Sequence, residues 1–199
     1  MPKSVNALTV DVEDWYQGIE IEPENWGVYE SRIEFSLSCL LSILSENDVH
    51  GTFFILGWIA ENKPALVRQI SEQGHEIGTH GYSHRLIYKQ SEATFAEDLK
   101  RSIALLEDLT GKPVVAHRAP FFSITKDSLW ALDILLANGI RVDSSIFPVR
   151  NYRYGLPDAP RHPYRYEKNG SSLIEFPIST LKIGRRNIPF AGGFYLRFW

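Results

Sequence analysis

The chain is short of several residue types and patterns that mark large classes of proteins. It contains a single cysteine, Cys39, which excludes an internal disulfide framework. No apolar run is long enough to span a lipid bilayer, so we expect no stable membrane insertion. Residues 1–6 do not form an apolar signal region, and the chain as written is expected to stay in the cytoplasm.

An excess of positive charge is also lacking. The 21 lysine and arginine residues are outnumbered by 24 aspartate and glutamate residues, which gives a net charge of -3. A nucleic-acid-binding domain needs a basic face, so we expect no nucleic-acid partner. The hydrophobic content of 44% and the charged content of 23% are typical of a globular protein, and 199 residues are enough for one domain with a sizeable core.

Short apolar runs alternate with helical patterns along most of the chain. The runs predict buried strands, and the spacing of apolar residues between them predicts amphipathic helices. The predicted strands cover residues 7–10, 51–56, 114–118, 140–145 and 172–178, with a short one before residue 79, and the predicted helices cover 30–47, 64–73, 91–110 and 125–138. This alternation predicts parallel βαβ units and therefore an α/β fold. Residues 148–166 show no clear period and are expected to be irregular.

Two histidines, His80 and His84, stand four residues apart where a predicted strand opens into a loop. Neutral imidazole is the commonest metal ligand in proteins. A zinc-like ion would need a third ligand, often a carboxylate, and an open position for water. Two surface or core histidines that happen to be close would give the same spacing, so the pair is a metal-site candidate that needs support from the rest of the chain.

Three carboxylates follow the first predicted strand: Asp11, Glu13 and Asp14. Like charges this close raise one another's pKa unless a cation neutralises them. A solvated loop is the alternative interpretation. Their place at the carboxyl end of a buried strand favours a site, because the active sites of α/β proteins lie at that end.

Two further charged residues end predicted strands in the second half of the chain, namely Arg118 and Asp143. Together with the histidines and the acidic cluster, they make four strands that each end in a charged or metal-competent residue. A buried ion pair between Arg118 and Asp143 is the structural alternative, and such a pair would itself hold two loops together.

These residues lie in blocks through which the chain resembles the polysaccharide deacetylases of carbohydrate esterase family 4. The resemblance covers nearly the whole chain in the right order. Its blocks are Thr9–Trp15, His80–His84, Arg118–Ile124, Glu175–Ser179 and Pro189–Gly193. The first block and the last three look most like the branch of the family found in exopolysaccharide gene clusters linked to exosortase systems.

The resemblance implies a distorted (β/α) barrel of the polysaccharide deacetylase type. It would form one domain over residues 1–199, with a C-terminal segment of the family expected beyond Trp199. The family binds one divalent metal, usually Zn²⁺. His80 and His84 match its histidine motif. Val12 stands where the family usually has its metal-binding aspartate, so relatives with a D-x-D form point to Glu13 as the third ligand, and Asp14 stays open as the alternative.

The resemblance also implies roles for the remaining residues. Asp11 matches the general base, Arg118 would orient that base, and Asp143 lies in the block that contributes to the groove near this arginine. The family's general-acid histidine is expected beyond residue 199, since His162 matches it poorly.

Three residues are candidates for contact with the substrate. Pro120 and Phe121 match the family's R-x-P-[FY] motif, and Tyr82 lies between the two histidines. Each of these side chains also suits a core position.

We therefore expect a metal-dependent hydrolase that removes N-acetyl groups from a polysaccharide or oligosaccharide. Water activated by the metal would attack the amide carbonyl, with Asp11 as the base. A deformylase or deacetylase of a lipid-linked sugar, or an allantoinase-like amidohydrolase, is the alternative on the same fold. An inactive glycan-binding barrel is the alternative from another class. The sequence indicates neither the polysaccharide nor the oligomeric state.

Overall fold

The computed structural model describes residues 6–19 and 21–191. The chain divides into two compact units. The first unit comprises residues 1–84 and 98–114, and the second comprises 85–97 and 115–199. Gly192 and Gly193, which belong to the last block of the resemblance, lie outside the described residues. The expectation of a single domain over residues 1–199 stays a prediction.

The first unit is built on three parallel strands: β1 (Thr9–Val12), β2 (Thr52–Ile55) and β3 (Glu76–Thr79). β2 pairs with both of the others, and all three are in register along their four residues. Val12, Ile55 and Thr79 form the last row, so the three strands end together at one edge. The residues that follow each strand therefore begin at the same level.

Four helices complete this part of the chain: α1 (Ile33–Glu46), α2 (Gly57–Asn62), α3 (Pro64–Glu72) and α4 (Glu92–Thr110). α1 buries one stripe of side chains, Ile33, Leu37, Leu41 and Leu44, at the spacing of a helical face. α3 begins at a proline, whose missing N–H is not needed in the first turn. These apolar faces join Val12, Phe53, Ile55 and Ile77 of the strands in one hydrophobic core.

The second unit also contains a parallel arrangement. β4 (Ala116–His117) and β7 (Ser171–Glu175) both pair in parallel with β5 (Val142–Asp143). β6 (Tyr164–Lys168) runs antiparallel to β7, and α5 (Trp130–Ala137) precedes β5. A separate hairpin is formed by β8 (Thr180–Ile183) and β9 (Arg186–Pro189). The predicted α/β fold class is confirmed, with parallel strands in both units.

Several local predictions were wrong. Residues 164–166 belong to β6 and are not irregular, because the two-residue loop Asn169–Gly170, with φ values of 49° and 78°, joins β6 to β7 as a tight hairpin. The helix expected over 125–138 begins only at Trp130. Ser128 explains the delay, since its hydroxyl accepts the Thr125 N–H at 2.9 Å and donates to the Ser123 carbonyl at 3.0 Å.

Other elements of the described chain, among them one helix and one hairpin, were not predicted at all. α2 has only six residues, which is too short for a helical period to be recognised in the sequence. The β8–β9 hairpin falls in a stretch for which no structure was predicted. Among residues 6–19 and 21–191, no helix is long and apolar enough to cross a membrane. The cytoplasmic location stays a prediction.

Asp14 caps the start of α1 from a distant part of the chain. Its carboxylate accepts the N–H of Arg32 at 3.0 Å and that of Ile33 at 3.4 Å, and it is only 3% exposed. We expect Asp14→Ala to lower the free energy of unfolding by about 1 kcal/mol, because two helix N–H groups lose their acceptor. Asp14→Asn keeps one acceptor oxygen and should lose less. Urea unfolding checks this, and equal stability of the alanine variant and the wild type would contradict it.

His75 makes the stability of the first unit depend on pH. Burial, and then the neighbouring His50, lower the pKa of His75. Its Nδ1 accepts the Gly51 N–H at 3.3 Å, which requires the neutral ring. Because the pKa of His75 is lowered in the folded state, its neutral ring contributes fully to the free energy of unfolding above the unfolded-state pKa of about 6.5. This contribution is lost as the pH falls below that value.

We therefore expect a smaller loss of stability between pH 8 and pH 5.5 in His75→Asn than in the wild type. The exposed His162 supplies the matched control, His162→Asn, which should behave like the wild type. Urea midpoints at the two pH values measure the difference. An unchanged loss in His75→Asn would show that other groups cause it.

Candidate active site and metal centre

The ends of β1 and β3 bring two of the predicted ligands to one edge. Glu13 follows Val12, and His80 follows Thr79, in the row of residues where the strands end. The His80 N–H still donates to the Ile55 carbonyl at 2.9 Å, so its backbone is held to β2. Parallel pairing in register therefore places a carboxylate and an imidazole at the same end of the sheet.

A short segment of residues 80–84, called here the histidine loop, returns His84 to this point. His84 has a φ of 52°, an uncommon value for a residue other than glycine. Its Nε2 lies 2.6 Å from Glu13 Oε2, and the centroids of the two histidine rings are 5.1 Å apart. One ligand atom from each of Glu13, His80 and His84 lies within 4.8 Å of the other two. Both histidines are buried, at 2% and 6% exposure.

These three side chains fit a divalent metal ion. Two imidazoles and one carboxylate are the protein ligands of one class of catalytic zinc site, in which a further position stays open. Glu13 is half-buried, so the cluster is within reach of solvent on one side. The donor set and its spacing therefore match what the histidine motif predicted, and the identity of the metal stays a prediction.

The two candidate carboxylates occupy different places. Glu13 lies with the histidines, whereas the Asp14 carboxylate binds the N–H groups at the start of α1. Both residues follow the end of β1, and neighbouring side chains of an extended chain point in different directions. Among the described residues, the cluster that could hold a metal contains Glu13 and not Asp14.

Asp11, the predicted base, is a half-buried residue of β1. It lines a cavity of about 250 Å³ in the first unit, together with Glu13. The walls of this cavity also include Trp15 and apolar side chains of α1 such as Ile33 and Leu37. Asp14 lines the cavity as well, so space for a small group is present beside all three carboxylates.

The histidine loop is braced by two helices. At the start of α2, the N–H groups of Gly57 and Trp58 donate to the carbonyls of Gly81 and Tyr82, at 2.8 Å and 3.2 Å. A side chain at Gly57 is excluded, since its Cβ would lie 2.7 Å from the Tyr82 ring. From the other side, α4 contributes Asp98, which binds the middle of the loop.

The Asp98 carboxylate accepts three hydrogen bonds from two adjacent residues of the histidine loop. Its Oδ2 accepts the Tyr82 N–H at 2.6 Å, and its Oδ1 accepts the Ser83 N–H at 3.1 Å and also the Ser83 hydroxyl. These bonds fix the backbone immediately before His84. Sequence reasoning missed Asp98, because a single aspartate in an amphipathic helix carries no signal of its role.

Tyr82 lies on the histidine loop, but its polar group is occupied. Its hydroxyl donates to Glu61 at 2.5 Å, and the guanidinium of Arg101 lies 3.6 Å from the centroid of its ring. Burial and the bond to Glu61 raise the pKa of Tyr82 to about 12. The predicted contact of Tyr82 with substrate stays a prediction, and its side chain contacts Glu61 of α2 and Arg101 of α4.

Arg118 belongs to the second unit and follows β4 directly. It is 5% exposed, its Nε donates to the Ser144 carbonyl at 3.0 Å, and one terminal nitrogen donates to the Ser144 hydroxyl at 2.9 Å. Ser144 therefore fixes the plane of the guanidinium. This serine was not identified from the sequence, although it adjoins the predicted Asp143.

The residues after Arg118 form a tight turn. Pro120 is buried at its start, while Phe121 and Phe122 are half-buried and have φ values of 54° and 53°. The guanidinium of Arg153 lies 4.0 Å from the centroid of the Phe121 ring. Of the two predicted substrate contacts in this turn, Phe121 is the more accessible. His162 is exposed and lies just before β6.

Asp143 is completely buried and pairs with His117 instead of Arg118. The distance from His117 Nδ1 to Asp143 Oδ1 is 2.7 Å, and the Ser145 hydroxyl donates to the same oxygen at 2.6 Å. These contacts, which involve only described residues, do not include the ion pair between Arg118 and Asp143 that the sequence left as an alternative. The residue that we expected to act near the arginine therefore binds the chain on either side of it.

Comparison with known families agrees with the motifs. Residues 33–139, more than half of the chain, match the family model described as polysaccharide deacetylase. Residues 144–199 match a second model, described as a domain of unknown function, DUF3473. The chain therefore belongs to the polysaccharide deacetylase family.

Individual proteins extend this comparison. The peptidoglycan-N-acetylglucosamine deacetylase of Bacillus cereus is 34% identical over 95 residues, which are 47% of this chain and 34% of that protein. The crystal structure of a putative polysaccharide deacetylase from Mycobacterium smegmatis superposes with a TM-score of 0.71 at 27% identity, covering 94% of this chain and 64% of that one. The chain thus spans about a third of the first relative and less than two thirds of the second.

A third comparison concerns the fold alone. A pseudoenzyme of carbohydrate esterase family 4 from Bacillus anthracis superposes with a TM-score of 0.51 at 23% identity, covering 64% of this chain and 39% of that one. A pseudoenzyme therefore has the same fold, so similarity of fold alone does not establish activity.

We expect Asp98→Ala to weaken Zn²⁺ binding about 10- to 100-fold, the usual effect of removing a group that orients metal ligands. The loop N–H groups of Tyr82 and Ser83 lose their acceptor, and His84 is no longer held in place. Asp98→Asn keeps one acceptor oxygen and should weaken binding less. Titration against a competing chelator gives the affinity.

The exposed Asp108 lies on the same helix and supplies the matched control. Asp108→Ala removes one carboxylate from α4 without touching the histidine loop, so its Zn²⁺ affinity should equal that of the wild type. Equal affinities of the Asp98→Ala and Asp108→Ala variants would rule out the bracing role.

Proposed function

We propose that the chain is the catalytic part of a metal-dependent hydrolase that removes N-acetyl groups from an N-acetylated polysaccharide. The cluster of Glu13, His80 and His84 at the ends of β1 and β3 is the observation that carries this proposal. The family match supports a deacetylase. The proposal concerns the whole protein's activity, because the chain spans only part of its relatives.

Glu13, His80 and His84 would hold the divalent ion, for which we propose Zn²⁺. When bound, such an ion supplies Lewis acidity, which polarises an amide carbonyl and makes water a better nucleophile near neutral pH. Asp11, which lines the same cavity as Glu13, would accept the proton of the attacking water. Its place beside the cavity in the first unit supports this role.

Arg118 would orient the base, a role that rests on the match to the family's arginine motif. The bonds from its guanidinium to Ser144 support a positioning role, since they leave the side chain little freedom. Phe121 and Tyr82 remain our candidates for contact with the sugar, and Pro120 fixes the turn that carries Phe121.

We infer that the substrate is a polymer containing N-acetylated amino sugars. The Bacillus cereus relative, named a peptidoglycan-N-acetylglucosamine deacetylase, supports this class. We propose an exopolysaccharide over peptidoglycan, because the blocks Thr9–Trp15, Arg118–Ile124, Glu175–Ser179 and Pro189–Gly193 resemble the branch of the family found in exopolysaccharide gene clusters. Acetate release from chitooligosaccharides and from peptidoglycan, measured side by side, separates the two substrates.

The metal content of purified protein tests the proposal most directly. We expect about one divalent ion per wild-type chain and its loss in His80→Ala, His84→Ala and Glu13→Gln, since each variant removes one of three ligands. Asp14→Asn is the matched control for Glu13→Gln and should keep the ion, because Asp14 binds α1. Absence of bound metal in the wild type after exposure to Zn²⁺ would overturn the hydrolase mechanism.

Acetate release from N-acetylated chitooligosaccharides then separates an enzyme from a glycan-binding protein. Metal binding combined with glycan binding but no released acid would favour the inactive barrel. Formate as the released acid would favour a deformylase of the same fold.

A further inference from the structure

Three titratable side chains that have no place in the proposed metal chemistry lie together in the second unit. They are His117, Asp143 and Glu175, and each is 0% exposed. The pairing of β4, β5 and β7 sets them side by side, with His117 opposite Asp143 and Asp143 opposite Glu175. Burial of two acids in contact is costly unless their charges are compensated.

Hydrogen bonds satisfy only part of this group. Asp143 Oδ1 receives the bond from His117 Nδ1 at 2.7 Å and that from the Ser145 hydroxyl at 2.6 Å. Glu175 Oε1 accepts the Ile146 N–H at 2.9 Å. The other oxygen of each acid, Asp143 Oδ2 and Glu175 Oε2, is buried and has no donor.

The two acids lie within hydrogen-bonding reach of each other. Two carboxylate anions cannot form a hydrogen bond, because neither has a proton to donate. One shared proton gives both remaining oxygens a partner and removes one of two buried charges. With one proton, the remaining oxygens of both acids have a hydrogen-bond partner. Without that proton, neither oxygen has one.

The surroundings decide which acid carries the proton. Asp143 receives the His117 ring and the Ser145 hydroxyl, whereas Glu175 receives main-chain N–H groups only. Burial and the charge of Asp143 raise the pKa of Glu175. The pKa of Asp143 is lowered because the bonds from His117, Glu175 and Ser145 outweigh its burial. Tyr164, which faces Glu175 from β6, has a raised pKa because of burial and both acids, so it is a neutral neighbour.

The Asp143 anion holds the chain on both sides of Arg118, directly through His117 and indirectly through Ser145. Before the arginine, Asp143 binds the ring of His117. After it, the Ser145 hydroxyl, which donates to Asp143, accepts the Ala119 N–H at 2.8 Å. Ser144, between the two residues that make these contacts, binds the guanidinium itself.

We propose that Glu175 is a protonated acid that donates to the Asp143 anion, and that this carboxyl–carboxylate pair is the positioning device for Arg118, acting through His117 and Ser145. Its catalytic consequence rests on the proposed function, whereas the shared proton does not. Neither acid touches the reacting atoms in this assignment. Each acts through the backbone that carries the arginine.

A pair of nearly isosteric variants tests the assignment. Glu175→Gln replaces an acid O–H with an amide N–H, so it keeps the donor to Asp143 and the acceptor for Ile146. It should keep stability and turnover close to the wild type. Asp143→Asn removes the anion that holds His117 and Ser145, and should lower kcat about 100-fold with KM little changed, as expected for a misplaced catalytic group. The assignment is overturned if Glu175→Gln is as damaging as Asp143→Asn.

Infrared spectroscopy reports the proton without any assay of activity. We expect a band of a protonated carboxylic acid near neutral pH in the wild type and its absence from Glu175→Gln. The control is Glu167→Gln, which removes an exposed glutamate of β6 and should keep the band. A wild type without the band, or a Glu175→Gln variant that keeps it, would overturn the shared proton.

Ser145→Ala tests the connection between Asp143 and the backbone next to Arg118. This test stays informative even if the Asp143→Asn variant does not fold. The substitution removes the hydroxyl between Asp143 and Ala119, so we expect lower kcat with unchanged metal content. The NMR signal of the Arg118 Nε–H should shift in Ser145→Ala and stay in place in Glu167→Gln. An unmoved signal would overturn the positioning role. If the wild type released no acetate, the proposed function would fail, while the infrared band and this signal would still decide the inference.

Discussion

The in-register parallel pairing of β1, β2 and β3 is the constraint on which the candidate metal centre depends. Because the three strands end in one row, the residues after β1 and β3 emerge at the same level of the sheet. The pairing of the strands, and not a contact between the two side chains, therefore brings Glu13 and His80 together. The histidine loop completes the cluster only because α2 and Asp98 hold its backbone.

Neighbouring carboxylates in this protein have separate tasks because their surroundings differ. Glu13 and Asp14 are adjacent in the chain, yet one lies with two histidines and the other binds the first N–H groups of α1. Asp143 and Glu175 lie side by side, yet burial and the charge of Asp143 raise the pKa of Glu175, whereas the hydrogen bonds that Asp143 accepts lower its own pKa. In both cases the environment, and not the residue type, assigns the role.

Sequence reasoning succeeded where the pattern was long or chemically specific. The stripes of α1 and α4 are regular enough to be predicted as helices, and the histidine spacing pointed to the loop that carries two members of the candidate metal cluster. It failed for α2, whose six residues carry too little of a period, and for β6, although Asn169–Gly170 is a hairpin signal that was present in the sequence. It also missed Asp98, because one acidic residue on a helix surface is compatible with plain solvation.

The amino-acid sequence by itself determined the α/β class, the alternation of the longer helices with short apolar strands, and the kinds of side chain at the strand ends, because these follow from local periodicity and residue chemistry. Only the tertiary structure decided which carboxylate joins the histidines and which caps α1. It also decided that Asp143 binds His117 and Glu175 instead of Arg118. These choices depend on contacts between residues 18 to 71 positions apart in the chain, such as Asp14 with Arg32 and Glu13 with His84, whose partners no local pattern specifies.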